Sequence, residues 1–184
     1  MLILASQSPR RSEILRQAGI PFLAKPAYVD ESVRPDEKPD AYVRRLAEQK
    51  AVAVEGADGD IVLGADTVVV IGGEILGKPT DRADASRMLE SLAGRKHEVI
   101  TGICLRRGSD LLQDRATTLV WFMPLTREEI AEYVASGEPM DKAGAYAIQG
   151  FASKFVQRID GSYTNVVGLP IELVYEHLRT WKRK

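Results

Sequence analysis

The sequence contains few of the residues that build disulfides or soft-metal centres. Among its 184 residues are one cysteine, Cys104, and two histidines, His97 and His177. A single cysteine excludes an internal disulfide and suits a reducing compartment, so we expect a cytoplasmic protein. Two isolated histidines make neither a zinc site nor a catalytic triad, and we interpret both as structural.

An excess of charge of either sign is missing as well. The 25 basic and 26 acidic residues nearly cancel, so no overall field attracts nucleic acid or an anionic membrane. No apolar run has the length of a membrane span, and the first residues lack the basic region of a signal peptide. The length predicts one domain over residues 1–184, with enough chain to bury a core.

The most informative stretch runs from Ile61 to Ile71, which is apolar except for Gly64, Asp66 and Thr67. A continuous apolar run of this kind predicts a strand buried on both faces in an α/β sheet. One interpretation is that Asp66 caps or breaks the strand at a turn. The other, which we favour, is a functional carboxylate, because a buried charge must be paired or coordinate a metal.

Ser6 and Ser8–Arg11 follow a short apolar strand, Leu2 to Ala5, and open a predicted helix. A helix N-terminus prefers acidic side chains in its first turn, yet this one carries Arg10 and Arg11. Free N–H groups, serine hydroxyls and guanidinium groups together suit a phosphate. The alternative, two solvated arginines, is equally compatible with this segment alone.

Further candidates lie in less distinctive surroundings. Glu31 is in a polar loop, where acidic residues are usually solvated. Lys50 continues the apolar stripe of a helix from Asp40 to about Val54, and either extends to water or reaches a phosphate. Lys78 precedes a proline, which fixes its backbone as extended. Gln149, beside a glycine, offers a donor and an acceptor suited to the edge of a base.

The remaining chain alternates strands and helices. We predict strands from Phe22 to Tyr28, from about Glu98 to Arg106, from about Ala116 to Phe122, and from Phe155 to Ile159. Thr126–Glu129 is a capping box that opens a helix. The stretch 138–150 is too rich in glycine and too mixed for a regular element.

Several motifs in this order resemble the Maf family of nucleoside triphosphate pyrophosphatases. The resemblance covers essentially the whole chain and is specific, because the motifs are long and in register. They are LASQSPRR (4–11), GADTV (64–68), GKP (77–79), HEVITG (97–102), DKAGAY (141–146) and VGLP (167–170).

This resemblance implies an elongated mixed α/β fold with flanking helices and a cleft between two lobes, like that of the inosine triphosphate pyrophosphatases. It implies hydrolysis of a nucleoside triphosphate to the monophosphate and pyrophosphate, with a divalent cation such as Mg²⁺ or Mn²⁺, in a homodimer. Asp66 matches the family's proton acceptor. Other polar positions of the family's site fall on Ser6, Arg11, Glu31, Lys50 and Lys78.

Three positions separate the subfamilies, and here they are Arg10, Thr67 and Gln149, as in members that act on dTTP and UTP. The general chemistry agrees: Arg11, Lys50 and Lys78 suit a phosphate chain, and Glu31 with Asp66 suits Mg²⁺. Two rival functions stay open: a house-cleaning enzyme for deaminated purine nucleotides, and a non-enzymatic regulator of septum formation.

Overall fold

The computed structural model describes residues 1–181 as an alternation of strands and helices. The strands are β1 (Leu2–Ala5), β2 (Phe22–Lys25), β3 (Ile61–Ile71), β4 (Glu74–Leu76), β5 (Lys96–Arg107), β6 (Asp110–Phe122) and β7 (Val156–Asp160). The α-helices are α1 (Pro9–Gln17), α2 (Pro39–Val52), α3 (Arg82–Leu92), α4 (Arg127–Ala135), α5 (Tyr163–Val167) and α6 (Ile171–Trp181). Short 3-10 helices occupy Glu138–Asp141, Ala143–Ala145 and Gly150–Phe155.

The seven strands form one mixed sheet in the order β2-β1-β3-β5-β6-β7, with β4 paired to β3. Strand β1 runs parallel to β2 and β3, whereas β4 is antiparallel to β3 and β7 is antiparallel to β6. The prediction of a mixed α/β fold with flanking helices is confirmed, and the elongated outline and the cleft stay predictions. Within residues 1–181, no helix has both the length and the apolar composition needed to cross a membrane.

The chain divides into two compact units. The first comprises residues 1–67, residues 101–116 and the chain from Gly168 on. Small and aliphatic side chains from β1, α2, the residues just after α2, β3 and β5 pack together in its core. They are Ile3, Ala5, Ala47, Ala51, Val54, Val62 and Cys104.

The second unit comprises residues 68–100 and 117–167, and its core is richer in aromatic rings. His97 is 2% exposed and lies edge-on to Phe122 and Tyr146, with ring centroids 5.0 and 5.4 Å away. Tyr133, also in this core, stacks on Phe151 at 5.4 Å. The environment of His97 agrees with its interpretation as a structural residue.

Three local predictions need correction. The second strand ends at Lys25 rather than Tyr28, because Pro26 follows and has no N–H for a strand ladder. Strand β6 begins at Asp110 rather than near Ala116. Its first half mixes charged residues with Leu111 and Leu112 and contains no buried residue, so it lacks the apolar pattern of a core strand. The stretch 138–150, predicted to be irregular, contains the first two 3-10 helices and the start of the third.

Candidate active site

Two glycines allow α2 to pack closely on the sheet of the first unit. A Cβ atom at Gly64 of β3 would lie 2.0 Å from the Ala47 carbonyl oxygen, and one at Gly102 of β5 would lie 2.5 Å from that of Val43. Both clashes are with helix backbone, which has no freedom to give way. The two glycines are therefore required for this helix to rest on these strands.

This close packing places Lys50 against Asp66. Asp66 follows Gly64 by two residues on β3, so both positions face α2, and Lys50 lies about one helical turn after Ala47. The Lys50 Nζ atom is 2.6 Å from Asp66 Oδ1, and each residue is 7% exposed. Lys50 thus does not extend to water, and Asp66 lies inside an unbroken strand rather than at a turn.

Glu31 supplies a second carboxylate to the same ammonium group. Its Oε1 atom lies 2.6 Å from Lys50 Nζ, while 43% of its side chain is exposed. The Tyr42 hydroxyl, on α2, donates a hydrogen bond of 2.8 Å to the Glu31 carbonyl oxygen and so ties this loop to the helix. One buried cation is shared by a buried and a half-exposed carboxylate.

The electrostatic environment of Asp66 combines opposing effects. Burial raises the pKa of Asp66 above its ordinary value, and the positive charges of Lys50 and Arg11 limit that rise. A carboxylate with a raised pKa accepts a proton more readily than an exposed one. A perturbed pKa together with a specific charged partner is typical of functional sites.

The Arg11 guanidinium donates hydrogen bonds to three neighbours within the first unit. Its Nε donates to the Gly168 carbonyl oxygen at 2.8 Å, one Nη to Ser6 Oγ at 3.2 Å, and the other Nη to Thr67 Oγ1 at 3.0 Å. Arg11 is buried, so of the two interpretations left open for this segment, the solvated arginine does not hold for this residue. Two of its five N–H donors are not used in these contacts, enough to meet one phosphate oxygen.

Thr67 is held by partners that were not predicted from the sequence. Its hydroxyl lies 2.9 Å from Thr101 Oγ1 and donates to the Gly168 carbonyl oxygen at 3.3 Å. Thr101 and Gly168 belong to the motifs HEVITG and VGLP quoted above, but no role was predicted for them. A backbone carbonyl carries no side-chain signal, so only the fold reveals Gly168 as an acceptor.

The start of α1 has the unusual charge predicted from the sequence. Its first turn has no acidic residue, and Arg10 is half-buried beside Arg11. Ser8 occupies the N-cap position, and its own N–H donates to Ser6 Oγ at 3.1 Å. Ser6 Oγ thus accepts from both a backbone amide and Arg11.

The predicted residues do not all belong to one unit. Ser6, Arg10, Arg11, Glu31, Lys50, Asp66 and Thr67 lie in the first unit, and Lys78 and Gln149 lie in the second. Lys78 is exposed after β4, and Gly144 donates its N–H to the carbonyl oxygen of Gly77 at 3.0 Å. Gln149 is exposed immediately before the 3-10 helix Gly150–Phe155.

The carboxylates of the site limit how a divalent cation could be held. Within residues 1–181, no group of three or more His, Cys, Asp or Glu side chains is placed to hold a metal ion. Glu31 and Asp66 nevertheless converge on a single cationic atom, Lys50 Nζ. Two converging carboxylates fit Mg²⁺ or Mn²⁺, which take their other ligands from water and substrate phosphates.

Similarity to solved structures is weak. The Staphylococcus aureus Ham1 protein is 13% identical and has a TM-score of 0.46, with 66% of this chain and 71% of that chain covered. A TM-score of this size carries no argument about function.

Similarity in sequence is much stronger. A protein named dTTP/UTP pyrophosphatase from Anaeromyxobacter sp. (strain Fw109-5) is 55% identical over 97% of this chain and 88% of its own. Another protein of that name, from Symbiobacterium thermophilum, is 54% identical over 96% of this chain and 92% of its own. The family model described as "Maf-like protein" matches residues 1–181. The chain therefore belongs to the Maf-like protein family.

Proposed function

We propose that this protein is a nucleoside triphosphate pyrophosphatase that hydrolyses dTTP and UTP to the monophosphate and pyrophosphate. The observation that carries the proposal is the buried Lys50–Asp66 pair with Glu31 on the same ammonium group. Relatives more than 50% identical over nearly the whole chain are named dTTP/UTP pyrophosphatases. Arg10, Thr67 and Gln149 have the residue types of that subfamily.

The phosphate chain is bound by the cationic groups around the start of α1. Arg11 is fixed by Ser6, Thr67 and Gly168, so its remaining donors are already oriented. Lys50 contributes a second positive charge, and we assign Lys78 a third. Fixed positive groups stabilise the charge that develops on a departing pyrophosphate.

Asp66 orients the attacking water and accepts its proton. Its raised pKa favours proton uptake, and Lys50 keeps the carboxylate in place through the bond to Oδ1. After transfer of the proton, the Lys50 ammonium remains paired with Glu31. The pair can therefore change its charge during a turnover without leaving a buried cation isolated.

Glu31 and Asp66 are the residues that would hold a divalent cation. When bound, such an ion neutralises phosphate charge and supports formation of the nucleophile. Activity with Mg²⁺ and with Mn²⁺ can be compared on the purified protein.

We further propose, from the family resemblance, that residues 1–184 form one catalytic domain that acts as a homodimer in the cytoplasm. We propose no nucleic-acid or membrane partner, consistent with the balance of 25 basic and 26 acidic residues. Size-exclusion chromatography with light scattering tests the dimer.

A substrate panel tests the function directly. Purified protein is incubated with dTTP, UTP, CTP, GTP and ITP, each with Mg²⁺ and with Mn²⁺, and the products are separated by ion exchange. We expect dTTP and UTP to give the highest kcat/KM, with monophosphate and pyrophosphate in equal amounts. Fastest hydrolysis of ITP would instead favour the deaminated-purine enzyme, and release of orthophosphate would contradict both.

A further inference from the structure

The backbone that carries Gln149 is fixed by a carboxylate from another segment of the second unit. Phe151 donates its N–H to Glu138 Oε2 at 3.3 Å. Gly150 lies between Gln149 and Phe151 and has a φ of +77°. A Cβ atom at Gly150 would lie 3.1 Å from both Glu138 carboxylate oxygens. The peptide after Gln149 thus rests directly on the Glu138 carboxylate.

The Glu138 carboxylate is itself held in place. The hydroxyl of Tyr133, a fully buried residue, donates to Glu138 Oε1 at 3.2 Å. The Glu138 N–H donates to Ser136 Oγ at 3.2 Å, and Lys142 Nζ donates to the Glu138 carbonyl oxygen at 2.5 Å. The Tyr133 ring also stacks on Phe151, so this tyrosine supports the carboxylate and the loop together.

From these contacts we infer that Glu138 is a positioning residue for Gln149 and thereby a determinant of base specificity. The inference rests on the proposed function, in which Gln149 reads the pyrimidine edge. Gln149 is exposed, so its position depends on the backbone to which it is attached. When a loop is already fixed before the base binds, less conformational entropy is lost on binding.

A purely structural role for Glu138 predicts a different outcome. In that case its loss lowers stability and affects all nucleotides equally. A positioning role changes the ratio of kcat/KM for UTP to that for GTP, and the change disappears when Gln149 is already absent. The ratio and its dependence on Gln149 therefore separate the two roles.

The experiment compares the wild type with Glu138→Ala, Glu138→Gln, Gln149→Ala and the double variant Glu138→Ala/Gln149→Ala. We expect Glu138→Ala to lower the UTP/GTP ratio about fivefold to tenfold, the effect of one or more lost hydrogen bonds. Glu138→Gln should keep the ratio, because its amide oxygen accepts from Phe151 N–H and its amide nitrogen donates to the Tyr133 oxygen. The double variant should match Gln149→Ala.

A second variant approaches the same contact from the other side. Gly150→Ala places a methyl group against the Glu138 oxygens at a strained φ, so it should lower the UTP/GTP ratio as Glu138→Ala does. It therefore tests the same contact if Glu138→Ala does not fold. The matched control is Glu129→Ala, which removes a carboxylate that accepts the Thr126 N–H at 2.8 Å and not the Phe151 N–H. We expect the control to keep the ratio.

Amide hydrogen exchange gives a readout that is independent of activity. The Phe151 amide should lose protection in Glu138→Ala and keep it in Glu129→Ala. An unchanged ratio in folded Glu138→Ala, or an effect that persists in the Gln149→Ala background, would overturn the inference. A wild type without preference for UTP over GTP would overturn the proposed function, and this inference with it, before any variant is compared.

Discussion

Lys50 Nζ lies 2.6 Å from Asp66 Oδ1 in a setting where both residues are 7% exposed. Each partner would be costly to bury without the other, because an isolated charge in the interior loses its hydration. Glu31 lies 2.6 Å from the same ammonium group and is far more exposed. The site thus has one buried carboxylate, that of Asp66, and one that is accessible to solvent, that of Glu31.

Asp66→Asn should abolish nearly all turnover while leaving the protein folded. The amide keeps the shape of the side chain but neither accepts a proton nor balances Lys50. The loss of stability should be smaller than the ~3–5 kcal/mol of a buried pair broken completely, since Glu31 still pairs with Lys50. Steady-state rates and urea unfolding measure both effects. A folded variant with most of its activity would show that Asp66 is not the proton acceptor.

Gly64→Ala should damage both stability and catalysis, although no functional group is removed. The added methyl carbon would lie 2.0 Å from the Ala47 carbonyl oxygen, so α2 must move and the Lys50–Asp66 pair must lengthen. We expect a loss of about 3 kcal/mol in the free energy of unfolding and a marked drop in kcat.

The stability control for that variant is Gly77→Ala, where an added Cβ would meet no heavy atom of the described residues within 4 Å, apart from the two adjacent residues of the chain. Its unfolding temperature should equal that of the wild type. Equal unfolding temperatures for Gly64→Ala and the wild type would contradict the close approach of α2 to β3.

The sequence predicted the elements around the site well because their signals are local. The strand around Asp66 was predicted from Ile61 to Ile71, and β3 has those bounds. Lys50 was found because it falls on the apolar stripe of α2, where a charged residue is conspicuous. In both cases a charged residue interrupts a regular hydrophobic pattern.

The remaining features depend on contacts between distant parts of the chain. Arg11 meets Gly168, which is 157 residues away, and Thr67 meets Thr101, which is 34 residues away. No periodicity links such positions. The first half of β6, which has no buried residue, shows the same limit, because pairing with its partner strand, and not burial of its side chains, makes it a strand.

Wild-type stability should depend on pH through His97. Burial lowers the pKa of His97 to about 4, from 6.5 in an unfolded chain. Between these values the unfolded state binds more protons, so stability is complete above the unfolded pKa and is lost as the pH falls toward 4. We expect a loss of about 2 kcal/mol from this residue between about pH 7.5 and about pH 5.

Urea unfolding of the wild type and of His97→Gln at several pH values isolates that contribution. The variant loses the contact of 2.8 Å between His97 Nε2 and the Tyr146 hydroxyl, so it should be less stable at neutral pH. Its stability should nevertheless fall less steeply below neutral pH. Parallel curves for the two proteins would mean that His97 does not titrate as described.

Gln149→Glu should reverse part of the preference for pyrimidines. Uracil offers one N–H donor flanked by carbonyl acceptors, and a carboxylate accepts from the N–H but repels the carbonyl oxygens. Guanine offers two adjacent N–H donors, which a carboxylate accepts together. We expect the UTP/GTP ratio of kcat/KM to fall by a factor that corresponds to about 1–3 kcal/mol in free energy. An unchanged ratio would remove Gln149 from the specificity residues.

The last prediction concerns which phosphorus atom is attacked. In the proposed mechanism Arg11, Lys50 and Lys78 bind the phosphate chain and neutralise the departing pyrophosphate. We therefore expect water oriented by Asp66 to attack the α-phosphorus. In heavy-oxygen water, a single turnover should place the label in the monophosphate, as measured by mass spectrometry of the separated products.

The two other points of attack give different labels. Attack at the β-phosphorus yields the same products, but the label enters pyrophosphate. That result would support a pyrophosphatase in which water attacks the β-phosphorus instead of the α-phosphorus. Attack at the γ-phosphorus releases labelled orthophosphate and a nucleoside diphosphate. That outcome is incompatible with a pyrophosphatase, because the bond between the α- and β-phosphates would still be intact. Only label in the monophosphate agrees with Asp66 acting on water beside the α-phosphate.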